Sequence, residues 1–471
     1  MIPRASDFRA DGPEEGARGF SFSSRSGGIV RRLRRICLAA ALLAAGCGSP
    51  QPAPTRGIVL LDIDTLRADH LGCYGYGRGT SPAIDALAAR AVVFDWAFAQ
   101  APYTPPSQSS LLTGLHVASH GVRTRADRLR PGIDTVAELL AEKGFATAAF
   151  TDGGFMSKGF GLDQGFALFD SAGGGLDRIG PKAIAWLEAR RNEPFLLLLH
   201  TYDVHTPYLP PAALRDRFGA LVEAPTPGFE PSSEALEAIR TSRWTATPLP
   251  LPERDLRYAE AMYDAEIAHV DAWIGKILAT LAATGLDAHT TVILFSDHGE
   301  EFGEHGSVLH EKPYATVTRI PFIVRAPGAP TGQRRHEVIQ GVDLLPTVVA
   351  LTGARLPRGV EGRSLLPALR GEALAPRPAF GENPWVTPGS YMVDKDFHLL
   401  FHPGTEAMEL FRFRDDPQER VNLAAAQPEI VAGMRRNLDR HDAALASLAA
   451  RPDPSVIDDE TARRLRALGY L

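Results

Sequence analysis

From Gly57 onward, apolar runs of strand length alternate with segments whose apolar residues recur at helical spacing. The runs Gly57–Ile63, Val92–Phe98, Ala146–Phe150, Phe195–Leu199, Thr291–Phe295 and Pro321–Val324 predict strands. The stretches Ser81–Ala91, Ser107–Thr113, Thr135–Lys143, Pro181–Arg190, Leu256–Thr284 and Leu344–Leu351 predict helices between them. Phe195 to Leu199 has no polar position at all, which suits a strand covered on both faces. Strand–helix alternation of this kind predicts an α/β three-layer sandwich around a largely parallel sheet.

Two interruptions set the expected organisation. Arg215 to Arg254 has six prolines, one tryptophan and little periodicity, which predicts a surface insertion of the kind that sets substrate choice. Beyond Arg377 the pattern shortens to alternating segments (Tyr391–Val393, Phe397–Phe401, Glu409–Arg412) and one helical stretch, Pro428–Leu448. A catalytic domain over 57–376 and a small C-terminal α+β subdomain over 377–471 are therefore expected.

The N-terminus reads as targeting sequence. Arg31, Arg32, Arg34 and Arg35 precede the apolar run Ile36–Ala45, which ends in Gly46-Cys47. That run is too short to span a bilayer, whereas basic, apolar, small-residue order is a secretory signal. Leu43-Ala44-Ala45-Gly46-Cys47 resembles a bacterial lipobox, so Cys47 is the expected lipidated N-terminus of an exported, membrane-anchored, periplasm-facing protein. Residues 29–46 would be the signal peptide and 47–56 a tether. Residues 1–28, polar and rich in Gly and Ser, would be an extension upstream of the true start. With Cys37 removed and Cys47 lipidated, Cys73 would be a lone thiol, and stability would rest on the core rather than a disulfide. The formal charge of −6, without a basic stripe, excludes nucleic acid as the expected partner.

Functional groups of open α/β sheets gather at the carboxyl ends of strands. Asp64 follows the first strand, His200, Asp203 and His205 follow Phe195–Leu199, and Asp297-His298 follow Thr291–Phe295. Carboxylates with imidazole are divalent-metal ligands. Thr104 stands just before Pro105-Pro106, good early-helix residues. Singly, Asp64 reads as a turn residue and Thr104 as a helix cap. Their joint occurrence at strand ends favours one metal site.

The residues Asp64-Thr65-Leu66-Arg67-Ala68-Asp69-His70-Leu71-Gly72-Cys73-Tyr74-Gly75 and Ser296-Asp297-His298-Gly299-Glu300-Glu301-Phe302-Gly303-Glu304-His305-Gly306 resemble the two metal-ligand stretches of the sulfatase family, within the alkaline phosphatase superfamily. Tyr263–Asp271, Glu361–Pro367, Glu409–Phe411, Asp416–Glu419, Asn422–Ala424 and Leu465–Leu471 resemble further family blocks. Sulfatases carry Cys-x-Pro-Ser-Arg, two variable residues and Leu-Leu-Thr-Gly at their nucleophile turn. Here Thr104 stands at the Cys position and Gln108 at the Arg position, while Pro106, Ser107 and Leu111–Gly114 are kept. Threonine cannot be oxidised to formylglycine.

Asp64, Thr104, Asp297 and His298 look less like a sulfatase calcium site than like the acid–Thr–Asp–His site of threonine-nucleophile phosphodiesterases and phosphoethanolamine transferases. This resemblance implies that the four bind a metal, with zinc or manganese favoured over calcium because imidazole is a poor calcium ligand. It also implies substrate-binding roles for His205, for His310 (twelve residues after His298) and for Lys312, with His205, His310 and Asp203 as ligands of a second metal. Lys312 has a plainer reading, as the solvated partner of Glu311. The expected activity is hydrolysis of phosphate mono- or diesters through a Thr104 nucleophile. Alternatives are a sulfuric ester hydrolase without formylglycine, a lipid head-group phosphotransferase, and an inactive glycan-binding lipoprotein. The expected partner is a small-molecule, glycan or lipid head-group ester.

Overall fold

A computed structural model describes residues 55–190, 193–236, 251–384 and 388–470. The expected extension, signal peptide, Cys47 lipidation site and tether fall on residues 1–56, of which only Thr55 and Arg56 are among those described. Residues 237–250 of the expected insertion also lie outside the described residues.

Eight strands form the main sheet: β1 (Gly57–Ile63), β2 (Val92–Phe98), β3 (Ala146–Phe150), β4 (Leu168–Asp170), β5 (Phe195–Thr201), β6 (Thr290–Phe295), β7 (Arg319–Arg325) and β8 (Gln333–Gln340). Their spatial order is β8-β2-β7-β6-β1-β5-β3-β4. β1 is central and parallel to both neighbours, with Asp62 opposite His200 on β5 and Phe295 on β6. β7 runs antiparallel to β2 and β6, so the sheet is largely but not wholly parallel.

The longer helices around this sheet are α1 (Pro82–Ala88), α2 (Thr104–Thr113), α3 (Val136–Glu142), α4 (Gly175–Glu188), α5 (Ala212–Gly219), α6 (Glu253–Ala283) and α7 (Leu344–Thr352). Successive strand residues point to opposite faces, and both faces of β1 are covered. Ile58 and Leu60 pack with Leu111 and Leu112 of α2, Val136 and Leu140 of α3 and Val348 of α7. Val59 and Leu61 pack with Ile84 of α1, Ile179 of α4 and Met262 and Ile267 of α6. Two-sided burial explains why the strand shows no alternation, and each such buried side chain stabilises the fold by about 1.5–3 kcal/mol.

Three differences from the sequence reading have local causes. β8 begins with the polar run Gln333-Arg334-Arg335-His336-Glu337, because it is an edge strand with most of that run partly or fully exposed. β4 is a three-residue edge strand, too short to register as a pattern. α4 starts at Gly175, well before Pro181. Its first turn is anchored from outside: Asp203 accepts from the Leu176 N–H (2.8 Å) and Asp152 from the Gly174 and Gly175 N–H groups (2.7 and 3.0 Å).

A second sheet follows: β9 (Ala379–Asn383), β10 (Gly389–Asp394), β11 (Phe397–His402) and β12 (Ala407–Phe411), an antiparallel meander. One face packs Tyr391, Leu400 and Phe411 against Phe98 and Val338 of the main sheet. The other packs Met392, Leu399 and Leu410 against Val431, Met434 and Leu438 of α8 (Pro428–Ala446). The chain then leaves this sheet. Asp453-Pro454 pairs antiparallel with Asp127-Arg128, and α9 (Asp459–Ala467) carries Leu465 and, beyond it, Tyr470 into the core beside the main sheet. Among the described residues no helix is long and apolar enough to cross a membrane.

Candidate active site

The strand ends deliver the chemistry. Beyond β1 the Asp64 N–H still bonds the Thr201 carbonyl (3.1 Å), which holds Asp64 beside the end of β5. Thr65 then adopts φ 56°, turning the chain off the sheet. Ser296 and Tyr263 fix the exit: Leu66 N–H donates to Ser296 Oγ (3.0 Å) and Arg67 N–H to the Tyr263 hydroxyl (2.8 Å). Arg67 reaches on to Asp69 (3.0 and 2.8 Å), Glu304 (2.5 Å) and the Glu300 carbonyl (3.0 Å), tying the β1 exit to the loop after His298.

Thr104 is the first residue of α2, and all ten residues of that helix are buried. Its hydroxyl does not cap the helix. It donates to Asp64 Oδ2 at 3.1 Å and lies 3.4 Å from His298 Nε2. Ser107 Oγ donates to the Asp297 carbonyl (2.6 Å), docking α2 against the end of β6. Pro105 and Pro106 lack N–H groups and the Ser107 N–H goes to the Tyr103 carbonyl, so the helix end offers its dipole more than a row of free donors.

Asp64, Asp297 and His298 are fully buried and present ligand atoms that all lie within 4.8 Å of one another. Asp64 Oδ1 and Asp297 Oδ2 make no hydrogen bond. Burial, reinforced by the Asp297 charge, pushes the Asp64 carboxyl well above the usual carboxylate range. Asp62, near the end of β1 and also fully buried, is pushed up to about 8 by burial. Such a concentration of unpaired buried carboxylates is the environment a bound cation relieves. His298 Nδ1–H donates to the Gly299 carbonyl (3.0 Å), which leaves its Nε2 lone pair facing the cluster, the orientation of a metal-ligating imidazole. The residues present fit a divalent metal.

A second group adjoins the first. The His310 ring lies against His298, with centroids 4.5 Å apart. Its Nδ1 is 3.1 Å from Glu300 Oε1, and burial raises the Glu300 carboxyl to about 7. His205 Nδ1 meets the Thr206 carbonyl (2.6 Å), and burial and then His310 push this imidazole down to about 3. The Nε2 atoms of His205 and His310 both meet the Tyr470 hydroxyl, at 2.5 and 3.1 Å. His200 Nε2 stands 3.7 Å from Asp64 Oδ2.

Of the residues expected from sequence, Asp64, Thr104, Asp297, His298, His205 and His310 thus converge. Lys312 does not join them: its ammonium donates to the His305 carbonyl (2.9 Å). Asp203 is occupied at the start of α4 rather than beside His205 and His310. Sequence reasoning missed Asp62, Glu300 and Tyr470 as site residues. Asp62 was detectable as an acid inside an otherwise apolar strand, and Glu300 and Tyr470 stand inside quoted family blocks.

Comparison with known proteins gives the family of the chain. Residues 56–354 match the Sulfatase family, and residues 303–444 match the family described as N-sulphoglucosamine sulphohydrolase, C-terminal. A Delta 4,5-hexuronate-2-O-sulfatase of Bacteroides thetaiotaomicron is 25% identical over 421 residues, covering 80% of this chain and 86% of the relative. A multifunctional alkaline phosphatase superfamily protein of Trinickia caryophylli is 29% identical over 204 residues, 40% of each chain. The crystal structure of a phosphonate monoester hydrolase of Agrobacterium radiobacter superposes with a TM-score of 0.70 at 20% identity, covering 83% of this chain and 96% of that one. The matched stretch of 56–354 contains Asp64, Thr104, His205, Asp297, His298 and His310 together, and the chain belongs to the sulfatase family.

Proposed function

We propose that this sulfatase-family ester hydrolase cleaves phosphate mono- or diesters with Thr104 as its nucleophile. The observation that carries the reading is the buried Thr104 hydroxyl, 3.1 Å from Asp64 Oδ2 and 3.4 Å from His298 Nε2; the sequence resemblance aligns this residue with the formylglycine precursor of sulfatases. A threonine cannot provide the aldehyde hydrate of a sulfatase, so an ordinary hydroxyl has to act, and a covalent phosphothreonine suits it.

Asp64, Asp297 and His298, with Thr104, would hold one divalent metal, zinc or manganese by their donor set, which would supply the positive charge that lowers the hydroxyl's pKa. Thr104 Oγ1 attacks phosphorus in line with the departing alcohol, while its proton passes to the Asp64 side. The P–O bond to the alcohol breaks, and the alkoxide takes a proton from the His205–His310 pair. Water then attacks the phosphothreonine, releasing phosphate from a monoester, or the remaining phosphate monoester from a diester, and returning the threonine hydroxyl. Lys312, tied to the His305 carbonyl, would need to swing inward to touch substrate.

Sulfate-ester hydrolysis is the second reading, favoured by relatives named as sulfatases of hexuronate and N-acetylglucosamine. Convergence of the intact carboxylate–imidazole cluster weighs against an inactive glycan-binding protein. The Cys47 lipobox supports an exported, lipid-anchored location, with glycan or head-group esters within reach.

The test is a panel of aryl phosphate, bis-aryl phosphate and aryl sulfate, with metal analysis, on wild type, Thr104→Ser and Thr104→Ala. Serine should keep activity within about tenfold, and alanine should lose on the order of 10³-fold or more. Undiminished turnover by the alanine variant would exclude Thr104 as nucleophile; sulfate as by far the best substrate would establish the second reading.

A further inference from the structure

The two imidazoles beside the nucleophile are each pinned at Nδ1, and their Nε2 atoms meet on one hydroxyl. His205 Nδ1 lies 2.6 Å from the Thr206 carbonyl. A carbonyl only accepts, so Nδ1 carries the proton, and the Nε2 of this buried imidazole is an acceptor. The Tyr470 hydroxyl, 2.5 Å away, must therefore donate its one proton to His205 Nε2. Its oxygen retains lone pairs, and His310 Nε2 at 3.1 Å completes the set by donating to it. His310 then carries a proton at Nε2 whichever partner holds the proton between its Nδ1 and Glu300 Oε1, 3.1 Å apart.

We propose that Tyr470 is a positioning residue of the active site, whose phenol fixes His205 as the acceptor and His310 as the donor of the pair. In the resting site the phenol engages the His310 proton and the His205 lone pair. When substrate takes over these bonds, His310 Nε2–H protonates the leaving oxygen, His205 Nε2 takes the proton of the water that ends the cycle, and the Tyr470 hydroxyl then relays that proton back to His310. This division rests on the proposed phosphoryl-transfer reading; the hydrogen-bond assignment does not.

The tail is built to hold the phenol still. Tyr470 is 8% exposed, its N–H bonds the Leu465 carbonyl (2.7 Å), and its ring packs on Phe155 with centroids 4.7 Å apart. The Arg125 guanidinium covers the ring at 4.4 Å. Arg464 of α9 reaches the carbonyls of Asp152 and Ala172, and the Asp458 carboxylate caps α9 through the Thr461 N–H (2.8 Å). These contacts place a hydroxyl from the far end of the chain against histidines on two other loops. Packing alone would be met as well by phenylalanine; the hydroxyl is what the packing does not explain.

The test is Tyr470→Phe in the full chain, which keeps the ring, its stacking and the fold. Imidazole ¹⁵N NMR should show the His205 Nε2 resonance moving towards an unbonded lone pair while the melting temperature stays put. For aryl phosphates with poor leaving groups kcat should fall about tenfold to a hundredfold, with KM changed less than about threefold and good leaving groups hardly affected. Unchanged imidazole resonances, or an unchanged kcat across the series, would overturn the proposal. If Thr104→Ala stays fully active while Tyr470→Phe shifts the resonances and kcat as expected, the nucleophile reading falls and the role of Tyr470 stands.

Discussion

Replacing Arg67 with methionine removes the guanidinium that joins the β1 exit to the loop after His298 while keeping an apolar stem of comparable bulk. Arg67 is 1% exposed and loses bonds to Asp69, Glu304 and the Glu300 carbonyl at once. Breaking one side of a fully buried ion pair costs about 3–5 kcal/mol. Here Asp69 is 38% exposed, so water takes over much of its loss, whereas Glu304 at 16% recovers little. The expected destabilisation at neutral pH is therefore about 3 kcal/mol, at the low end of that range. Against burial, which would raise them, Arg67 holds the Asp69 and Glu304 carboxyls below the usual range. Carboxyls with depressed folded values contribute stability above their unfolded pKa of about 4 and lose it as pH falls through the folded values. The gap between wild type and variant should be widest at neutral pH and should narrow under acid conditions, where protonated carboxyls no longer need a cation. Urea unfolding of both proteins across a pH series measures this. A neutral-pH loss under about 1 kcal/mol, or a gap indifferent to pH, would refute the buried-clamp account.

Metal affinity should weaken as pH falls, because Asp64, Asp297 and His298 bind a cation only when deprotonated, and burial and then Asp297 already hold the Asp64 carboxyl high; calorimetric metal titration at several pH values checks this, and a pH-independent affinity would count against the cluster. His298→Ala should lose the metal while leaving the sheet intact, as read by metal analysis and far-ultraviolet circular dichroism. Asp271 accepts from the Ala83 and Ile84 N–H groups (3.0 and 2.8 Å) and so caps α1 from α6. Asp271→Ala should cost about 1–2 kcal/mol of stability without altering kcat, and an unaffected unfolding midpoint would show the cap to be idle.

Most of the converging residues were legible because they stand just beyond an apolar strand or open a helix (Asp64 after β1, His205 beyond β5, Asp297-His298 after β6, Thr104 before two prolines), whereas His310 was legible only through the resemblance, by its spacing to His298. Strand ends carry their own punctuation. Direction is another matter. Lys312 and Asp203 sit near the right loops in sequence, yet one turns to a backbone carbonyl and the other to the start of α4, and no periodicity encodes which way a loop side chain faces. β8 escaped because an edge strand needs no apolar stripe, and the antiparallel sense of β7 because an apolar run has no arrow. Tyr470 was invisible as a site residue for a different reason: its partners His205 and His310 are 265 and 160 residues away, and proximity across such separations is made by tertiary packing.

The central position of β1 bears on how the chain is made. Synthesis delivers Gly57–Ile63 early, but its two neighbours are Phe195–Thr201 and Thr290–Phe295, so this seven-residue, mostly apolar segment waits unpaired until the first of them is made and lacks its second neighbour until the other follows. Non-local pairing of this kind slows folding and leaves a sticky strand exposed meanwhile. Nascent chains that stall before β6 emerges would display a bare sheet edge on β1, a natural target for holdase chaperones and for aggregation.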